Sequence, residues 1–385
     1  MRLIDHFPHY LHKSLGRPLG ALYIFVALQE FALAMMILFE PVFLYRQGYS
    51  VSRIAFFYVT VYLLYIVLIP FGGKFVGRFG PPRAIALSTL FLVGYYVTLM
   101  LTPNLPFMMW VAPIFFALQK TFYWPGFHTD FIRASKSGER GREFSGLYAL
   151  SSIMYIIGPV IGGLVITSFG YTTLFTIGAV VIFIASLPLL FTPVPPIRET
   201  QSYRELFKLP WSHWHRRTTL SYFGFGESLL HVYIWPIYLS ISFVTIERLG
   251  GLMTLATLFT AFVTLIIGKY FDRGKWRFTL RAGAGLALLT WLTRPWIHTV
   301  PAVFSSAVAG QLSQNISWVT SSDVAYERAL QEKNDIGRSI LLEQGLSFGK
   351  VLAGLLLAGL ALVYPPFTVA FILGAGFTLF YFLFR

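Results

Sequence analysis

The sequence predicts an all-α membrane protein whose twelve transmembrane helices form two pseudo-symmetric six-helix bundles. Three observations lead to this fold class: an apolar composition, basic residues confined to alternate loops, and one internal repeat. Hydrophobic residues make up 56% of the 385-residue chain and charged residues 12%, whereas about a quarter of residues are charged in soluble domains. The chain therefore belongs in a membrane.

Uncharged stretches set the positions of the predicted helices. Stretches long enough for two crossings of about 20 residues lie at 84–119, 144–197 and 351–384. Each contains a central Pro- or Gly-rich turn, at 102–106, 169–173 and 364–366, where the helix is broken. Single spans are predicted near 18–45, 53–72, 218–244, 249–268, 278–295 and 300–326.

The positive charge of the chain indicates its orientation. Twenty-four of the 30 Lys and Arg residues lie in the termini and in every second loop, which is the positive-inside pattern. Four cations occupy the opposite loops: Arg46, Arg53, Arg248 and Arg294. We therefore expect the protein to lie in the plasma (inner) membrane with both termini in the cytoplasm. Residues 1–17 are predicted to form a cytoplasmic N-terminal segment. The net charge of +14 lies on short loops and does not indicate nucleic-acid binding.

The chain repeats itself once at an offset of about 195 residues. Pro41 and Gly73 recur as Pro236 and Gly268, and Gln119 recurs as Gln314. Duplicated halves are the usual architecture of secondary transporters, which bind their substrate between the halves. The repeat predicts an N-terminal bundle at 18–192, a cytoplasmic linker at 193–217 and a C-terminal bundle at 218–385.

The repeated loops carry a family resemblance. The segment 73–83, GKFVGRFGPPR, resembles the G-x-L-x-D-R-x-G-R-[RK] loop of the major facilitator superfamily, and 268–275, GKYFDRGK, repeats the match. A basic segment, GERGR, occupies 138–142 after the fourth helix. The resemblance implies two six-helix bundles around a central cavity, working by alternating access.

Residues near these loops are predicted to form a gate. Gly77 stands where the family usually has Asp, whereas Asp272 keeps the acid in the second copy. Asp272 is expected to cap a helix or pair with a cation across the cytoplasmic seam; the alternative is ordinary topology-setting charge. The predicted gating residues are Gly73, Arg78, Asp130, Arg133, Gly158, Pro159, Asp272, Arg273, Arg328 and Arg338, with Glu139 and Arg142 in the N-terminal counterpart.

Helices 4 and 5 bear on the direction of transport. The segment 158–163, GPVIGG, is similar to the end of an antiporter signature of the family, although Ser145 and Met154 replace its earlier glycines. The helix-4 arginine of the family is absent, because Phe116 occupies that position, and Lys120 is the nearest cation. Export is favoured only slightly.

Polar side chains gather at one depth. Counting inward from the span ends places eight of them within about a turn of the membrane centre: Gln29, Glu30, Gln119, Lys120, Glu227, Gln314, Asn315 and Lys350. A charge that faces lipid there costs at least about 2.5–3.5 kcal/mol. We therefore predict that they line a wet substrate cavity, with Trp124, His128, His231 and Trp235 contacting the solute. Glu40 is expected near water at the outer end of helix 1.

Two carboxyls are candidates for proton coupling. Burial raises the proton affinity of a carboxyl and a nearby lysine lowers it, so Glu30 or Glu227 can load and release a proton during the cycle. The alternative is a permanent pair, Glu30 with Lys120 or Glu227 with Lys350, that only holds helices together.

The sequence thus predicts a proton-coupled secondary transporter of a small organic or amphipathic solute, a drug/proton antiporter-like exporter that functions as a monomer. A sugar or organic-acid symporter and a lysolipid or glycolipid flippase remain alternatives. We expect no metal and no cofactor other than the coupling proton. The chain contains no H-E-x-x-H motif, and we expect no enzymatic activity.

Overall fold

The computed structural model describes residues 18–134, 140–192, 201–212, 215–242, 245–271, 276–332 and 335–383. These residues form helices and connecting turns, without a strand. We number the helices in chain order: α1 (Pro18–Met36, continued by Glu40–Arg46), α2 (Val51–Phe79), α3 (Pro81–Leu101), α4 (Met108–Ala134), α5 and α6 (the limbs of Arg140–Leu190 before and after Gly170), α7 (described below), α8 (Ile246–Phe271), α9 (Trp276–Thr293), α10 (Val300–Glu332), α11 (Asp335–Leu360) and α12 (Pro366–Thr378).

Helix α7 is irregular. It is α-helical at Arg216–Tyr222, Gly226–Leu229 and Trp235–Ser242. A 3-10 turn occupies Phe223–Phe225 and a π-helical turn occupies Leu230–Ile234. Because π-helical turns inside α-helices often occur at functional sites, the turn at Leu230–Ile234 is a candidate part of a functional site. Further 3-10 turns extend α9 (Arg294–Trp296) and α12 (Leu379–Leu383).

Helix breaks lie where the sequence places turn residues. The three predicted central turns coincide with the break after Leu101, with Gly170 and with the break after Leu360. Gly170 has a φ of 85°, a left-handed backbone that glycine adopts readily. The predicted span 53–72 is too short, because α2 stays helical through Phe79 and ends at Gly80, whose φ is 88°.

Seven segments of the described chain are long and apolar enough to cross a membrane, by length and composition. They are Gly20–Arg46, Val51–Phe79, Pro81–Leu101, Ala149–Leu190, Ile246–Thr264, Asp335–Leu360 and Pro366–Leu383. Ala149–Leu190 includes both limbs around Gly170. Large apolar side chains such as Leu164, Phe262 and Ile372 are exposed on the outside, as expected for a surface that faces lipid. The count of twelve crossings stays a prediction.

Small residues let helices pack closely within the N-terminal half. A Cβ at Gly162 would overlap the Met35 carbonyl of α1, and a Cβ at Gly72 would overlap the Thr121 carbonyl of α4. Helix packing in membranes depends on such close approach, since lipid supplies no hydrophobic driving force between helices. The glycines therefore fix α1 against α5 and α2 against α4.

The linker is anchored to α2 on one face of the molecule, which we call the linker face. Lys74 Nζ donates to the Gln201 carbonyl (2.6 Å), and the Tyr203 hydroxyl donates to the Val67 carbonyl (2.6 Å). The linker helix, Tyr203–Lys208, begins with a capping box in which the Ser202 N–H donates to Glu205 and lowers the pKa of that carboxyl. The linker thereby stays close to the helix ends.

The two halves touch at both faces. On the face opposite the linker, the Tyr58 and Tyr233 rings stack with centroids 3.5 Å apart, and Gly250 of α8 abuts the Pro159 carbonyl of α5. Towards the linker face, Arg133 of α4 pairs with Asp335 at the start of α11. Between these contacts, Lys120 of α4 and Lys350 of α11 both lie near Tyr62 of α2.

Candidate functional site

Two lysines from opposite halves converge on one tyrosine in the middle of the seam. Lys120 of α4 lies 5.4 Å from the centroid of the Tyr62 ring, and Lys350 of α11 lies 4.7 Å from it. Lys350 Nζ is also 3.5 Å from the Tyr62 hydroxyl. Lys120 Nζ lies 4.3 Å from the centroid of Phe116. Among the described side chains, no carboxylate oxygen lies within 4.0 Å of either ammonium group.

The lysines and their polar neighbours differ in burial. Both lysine side chains are partly exposed, whereas Gln119 and Tyr62 are buried. Gln29 of α1 is fully buried, and neither its amide nitrogen nor its amide oxygen has a partner. Buried amides are rarely left without partners in proteins, so Gln29 has unused hydrogen-bonding capacity.

Glu30 does not pair with Lys120. Its carboxylate forms a hydrogen bond with Tyr155 of α5, within the N-terminal half. Glu40 is not near water as expected: it is 1% exposed, and the Tyr96 hydroxyl donates to its Oε2 over 2.9 Å. The physical reason is that the helix restarts at Glu40, which places this side chain against α3 instead of at the membrane surface.

Glu227 lies inside the C-terminal half and does not pair with Lys350. Trp291 Nε1 donates to its Oε2 over 2.9 Å. Its Oε1 accepts from the Gln314 amide and, at 3.4 Å, from the Tyr381 hydroxyl. Three helices, α9, α10 and α12, therefore supply donors to one carboxylate. Asn315, next to Gln314 on α10, is half-buried.

Arg294 is placed differently from its predicted position in an outer loop. The side chain is 0% exposed, because the 3-10 turn that ends α9 directs it into the protein. Its guanidinium carbon lies 3.8 Å from the centroid of Trp291 and 4.1 Å from that of Trp235. Arg294 Nη2 is 2.9 Å from Nδ1 of His231, which belongs to the π-helical turn of α7.

A polar cluster joins the halves towards the linker face. His128 Nε2 of α4 lies 3.3 Å from Glu343 Oε1 of α11, and the Tyr65 hydroxyl donates to Glu343 Oε2 over 3.1 Å. Both His128 and Glu343 are buried. Trp124 stacks on His128 and contacts Trp318 of α10. We call His128, Glu343 and Tyr65 the buried latch.

The predicted gating residues have varied placements. A Cβ at Gly73 would come within 2.9 Å of Ile336 and Ile340 of α11, so Gly73 permits contact between the halves. Gly158 packs on Ala34 of α1. Arg78 is exposed and lies over the Phe79 ring. Arg338 is buried and Asp130 is half-buried. The remaining predicted positions lie outside the described residues or side chains: Glu139, Arg142, Asp272, Arg273 and Arg328.

The sequence pattern described as "Major Facilitator Superfamily" matches residues 19–340. The chain belongs to this superfamily. Its members are transporters, and the chain is a multi-pass membrane transport protein. No curated protein sequence matches the chain significantly.

Solved structures of superfamily transporters share the fold. The nucleoside transporter NupG aligns with 13% identity over 95% of this chain and 99% of its own, with a TM-score of 0.71. A POT family transporter in complex with 5-aminolevulinic acid aligns with 15% identity over 94% of each chain, with a TM-score of 0.71. The human organic anion transporter MFSD10 (TETRAN) aligns with 14% identity over 95% of this chain and 98% of its own, with a TM-score of 0.70.

Within this superfamily fold, the sequence analysis missed several residues of the polar clusters, including Tyr65 of the buried latch. Tyr62 is one of 21 tyrosines, and nothing in its neighbourhood distinguishes it. Glu343 was missed because it precedes the uncharged stretch at 351–384 that located this part of the chain. Arg294 was assigned to a loop, and its neighbour Trp291 was therefore not considered.

Removing the acid of the buried latch is expected to open the linker face. Glu343→Ala removes the acceptor of the Tyr65 hydroxyl and one contact of His128, and a buried donor that loses its partner costs about 1–3 kcal/mol. The chain has no cysteine, so a single Asn315→Cys substitution reports access to the seam. Labelling from the linker face with a membrane-impermeant thiol reagent should accelerate at least about tenfold.

Asp335→Asn is the matched control for Glu343→Ala. It breaks the Arg133–Asp335 pair on the same face, but these side chains are 38% and 18% exposed, and such pairs contribute about 0–1 kcal/mol. Equal labelling in Glu343→Ala and the parent protein would show that the buried latch does not hold this face closed.

Proposed function

We propose that this transporter is a secondary active carrier of small organic anions and that it moves them together with protons. The observation that carries the proposal is the convergence of Lys120 and Lys350 on Tyr62, with no carboxylate in direct contact. An anion–proton symporter corresponds to the organic-acid symporter that the sequence left as an alternative. It takes the place of the drug/proton antiporter-like exporter that the sequence favoured.

The electrostatics of the lysine pair favour an anion. Two cations near mid-membrane are tolerated only where water, protein dipoles or a counter-ion compensate them. The Tyr62 ring stabilises both ammonium groups and its hydroxyl accepts from Lys350, yet the tyrosine supplies no full negative charge. A solute carboxylate between the lysines would accept charge-assisted hydrogen bonds from both halves. A solute that binds both halves is suited to coupling their movement.

The similar structures are consistent with this class of solute. One is described as an organic anion transporter, and another holds 5-aminolevulinic acid, which carries a carboxylate. At 14% and 15% identity these likenesses establish the fold, and the substrate class rests on the lysines of this chain.

Proton coupling follows from charge balance around Lys120. The carboxylates whose charges act on Lys120 are Glu343 and Glu40. When Glu40 takes up a proton, the potential at the lysine becomes more positive, and an anion binds more tightly. Linkage is reciprocal, so the anion also favours the proton. Joint binding on one side and joint release on the other is symport. Glu30 and Glu227 are further proton acceptors in this scheme.

Transport by purified protein in liposomes tests the function. Probes should include benzoate, succinate and 5-aminolevulinic acid, together with glucose, a cationic dye and a fluorescent lysolipid. We expect uptake of at least one organic acid, stimulated by an inward proton gradient and abolished when a protonophore collapses it. Transport of the dye, the sugar or the lysolipid, with no transport of any acid, would refute the anion assignment.

A further inference from the structure

A fully buried arginine in the C-terminal half lacks partners for most of its donors. Arg294 makes one hydrogen bond, to His231 Nδ1. Its Nε and Nη1 atoms are buried without a partner, and so is Nε1 of Trp235, against which its guanidinium stacks. Unpaired donors on a buried charged group are costly. This arrangement indicates that the guanidinium is prepared for a ligand that accepts hydrogen bonds.

The nearest balancing charge does not contact Arg294. Glu227 acts on Arg294 electrostatically, but no ion pair within 4.0 Å joins them among the described side chains. Trp291 contacts both: its ring face lies 3.8 Å from the guanidinium carbon and its Nε1 donates to Glu227. The indole therefore separates a buried carboxylate from a buried cation, and only partial neutralisation is possible.

Three donors already surround the Glu227 carboxylate. The indole of Trp291, the amide of Gln314 and the hydroxyl of Tyr381 all donate to it. Arg294 is consequently the member of the pair that has free hydrogen-bonding capacity, and this capacity suits an anion.

We propose that Arg294 is the centre of a buried site for a monovalent anion, either a carboxylate group or a halide, and that this site fills when Glu227 gains a proton. The cluster is close to neutral with Glu227 ionised and the site empty, and again with Glu227 protonated and an anion on Arg294. The site lies on α7 and α9, apart from the Lys120–Lys350 pair, and does not depend on the proposed function.

The groups around the cluster agree with this exchange. Facing Glu227 are Trp291 and Arg294 from α9, Gln314 from α10 and Tyr381 from α12. Facing Arg294 are His231 of α7, whose Nδ1 accepts and is therefore unprotonated, and Gly310 of α10. A Cβ at Gly310 would lie 2.5 Å from His231 Cε1 and 3.2 Å from Arg294 Nη2, so the glycine lets α10 pack closely against both side chains. Lys350 of α11 contacts Tyr62 instead.

Binding of two small probes to the full-length protein in lipid nanodiscs tests the site. Sodium iodide quenches tryptophan fluorescence, and radiolabelled benzoate represents a carboxylate; sodium sulfate keeps the ionic strength constant. Because exposed tryptophans are quenched without saturation, Trp110→Phe, Trp211→Phe and Trp296→Phe are combined in the parent protein. We expect saturable binding of at least one probe, with uptake of about one proton per bound anion at neutral pH.

Three variants give the expected pattern. Arg294→Gln should weaken the saturable binding at least about tenfold, whereas Arg281→Gln, an exposed arginine on the same helix, should leave it unchanged. Glu227→Gln mimics the protonated acid, so binding should tighten about tenfold at neutral pH and proton uptake should disappear. This last variant keeps the proposal testable if Arg294→Gln fails to fold.

Other outcomes would overturn the site. Absence of saturable binding of either probe to the parent protein would do so, as would full binding in Arg294→Gln. Binding that is lost only in Lys120→Gln or Lys350→Gln would place the anion between the halves; it would refute the Arg294 site and leave the proposed function standing. Anion binding without proton uptake in the parent protein would refute the link to Glu227.

Discussion

Replacing Lys120 or Lys350 by Gln is expected to raise the apparent KM for the transported anion at least about tenfold, and replacing both to abolish transport. A hydrogen bond to a charged group contributes about 1.5–3 kcal/mol, and each 1.4 kcal/mol changes affinity about tenfold. The two lysines belong to opposite halves and converge on Tyr62. The double variant therefore removes, from each half, the positive charge that attracts the solute. Initial uptake rates in proteoliposomes measure the effect.

The controls separate charge from structure. Lys208→Gln removes an exposed lysine from the linker helix and should transport like the parent. Lys120→Arg keeps the cation but replaces a compact ammonium by a planar guanidinium, so it should recover part of the affinity lost in Lys120→Gln. Parent-like transport by the double variant would mean that the lysines only stabilise the seam through Tyr62.

The sequence singled out these two lysines as candidates for the polar layer, and their depth in the membrane stays a prediction; their shared partner was not predicted. Lys120 and Lys350 are cations within long apolar stretches, and counting residues from the span ends placed both near mid-membrane. Depth is an average property of a span and tolerates errors of several residues. Contact with Tyr62 depends on the rotation of α2, α4 and α11 about their axes, and composition does not specify rotation.

Properties of one segment can be predicted from its sequence, whereas contacts between helices cannot. This difference explains why the predicted helix breaks agree with the structure and the predicted position of Arg294 does not. A turn is encoded locally, as at Gly170, where the left-handed backbone favours glycine. Arg294 precedes a proline and a tryptophan at the end of a weak span, so local signals indicate an exposed turn. Two indoles distant in sequence from each other, Trp235 and Trp291, cover its guanidinium, and such coverage is visible only once the helices are packed.

Glu40 and Glu343 show the limit of reasoning from the ends of spans. Both were placed near water or overlooked because they lie close to predicted helix termini, yet both are buried and accept hydrogen bonds from tyrosines. Tyrosine hydroxyls commonly satisfy buried partners, and the chain contains 21 tyrosines. An acid near a span end in a tyrosine-rich chain should therefore be treated as a candidate for burial.

Gly250→Val is expected to hold the protein open on the face opposite the linker and to reduce transport at least about tenfold. Gly250 of α8 abuts the Pro159 carbonyl of α5 across the seam. A branched side chain there would overlap backbone atoms, which cannot rotate away as a side chain can. Inserting such bulk into a packed contact costs about 1–3 kcal/mol, and this cost falls only on conformations that close this face. Uptake assays and Asn315→Cys labelling from each side measure the two effects.

The neighbouring glycine provides the control for this wedge. A Cβ at Gly251 would meet nothing within 4 Å, so Gly251→Val adds the same bulk to the same helix without entering the seam. We expect it to transport like the parent and to label equally. Faster labelling of Asn315→Cys from the opposite face, in Gly250→Val alone, would show that closure of the α5–α8 contact is a step of the transport cycle. A carrier that alternates must close one face before it opens the other, so a block to closure should slow the whole cycle. Equal labelling together with parent-like transport would show that the two halves do not need this contact.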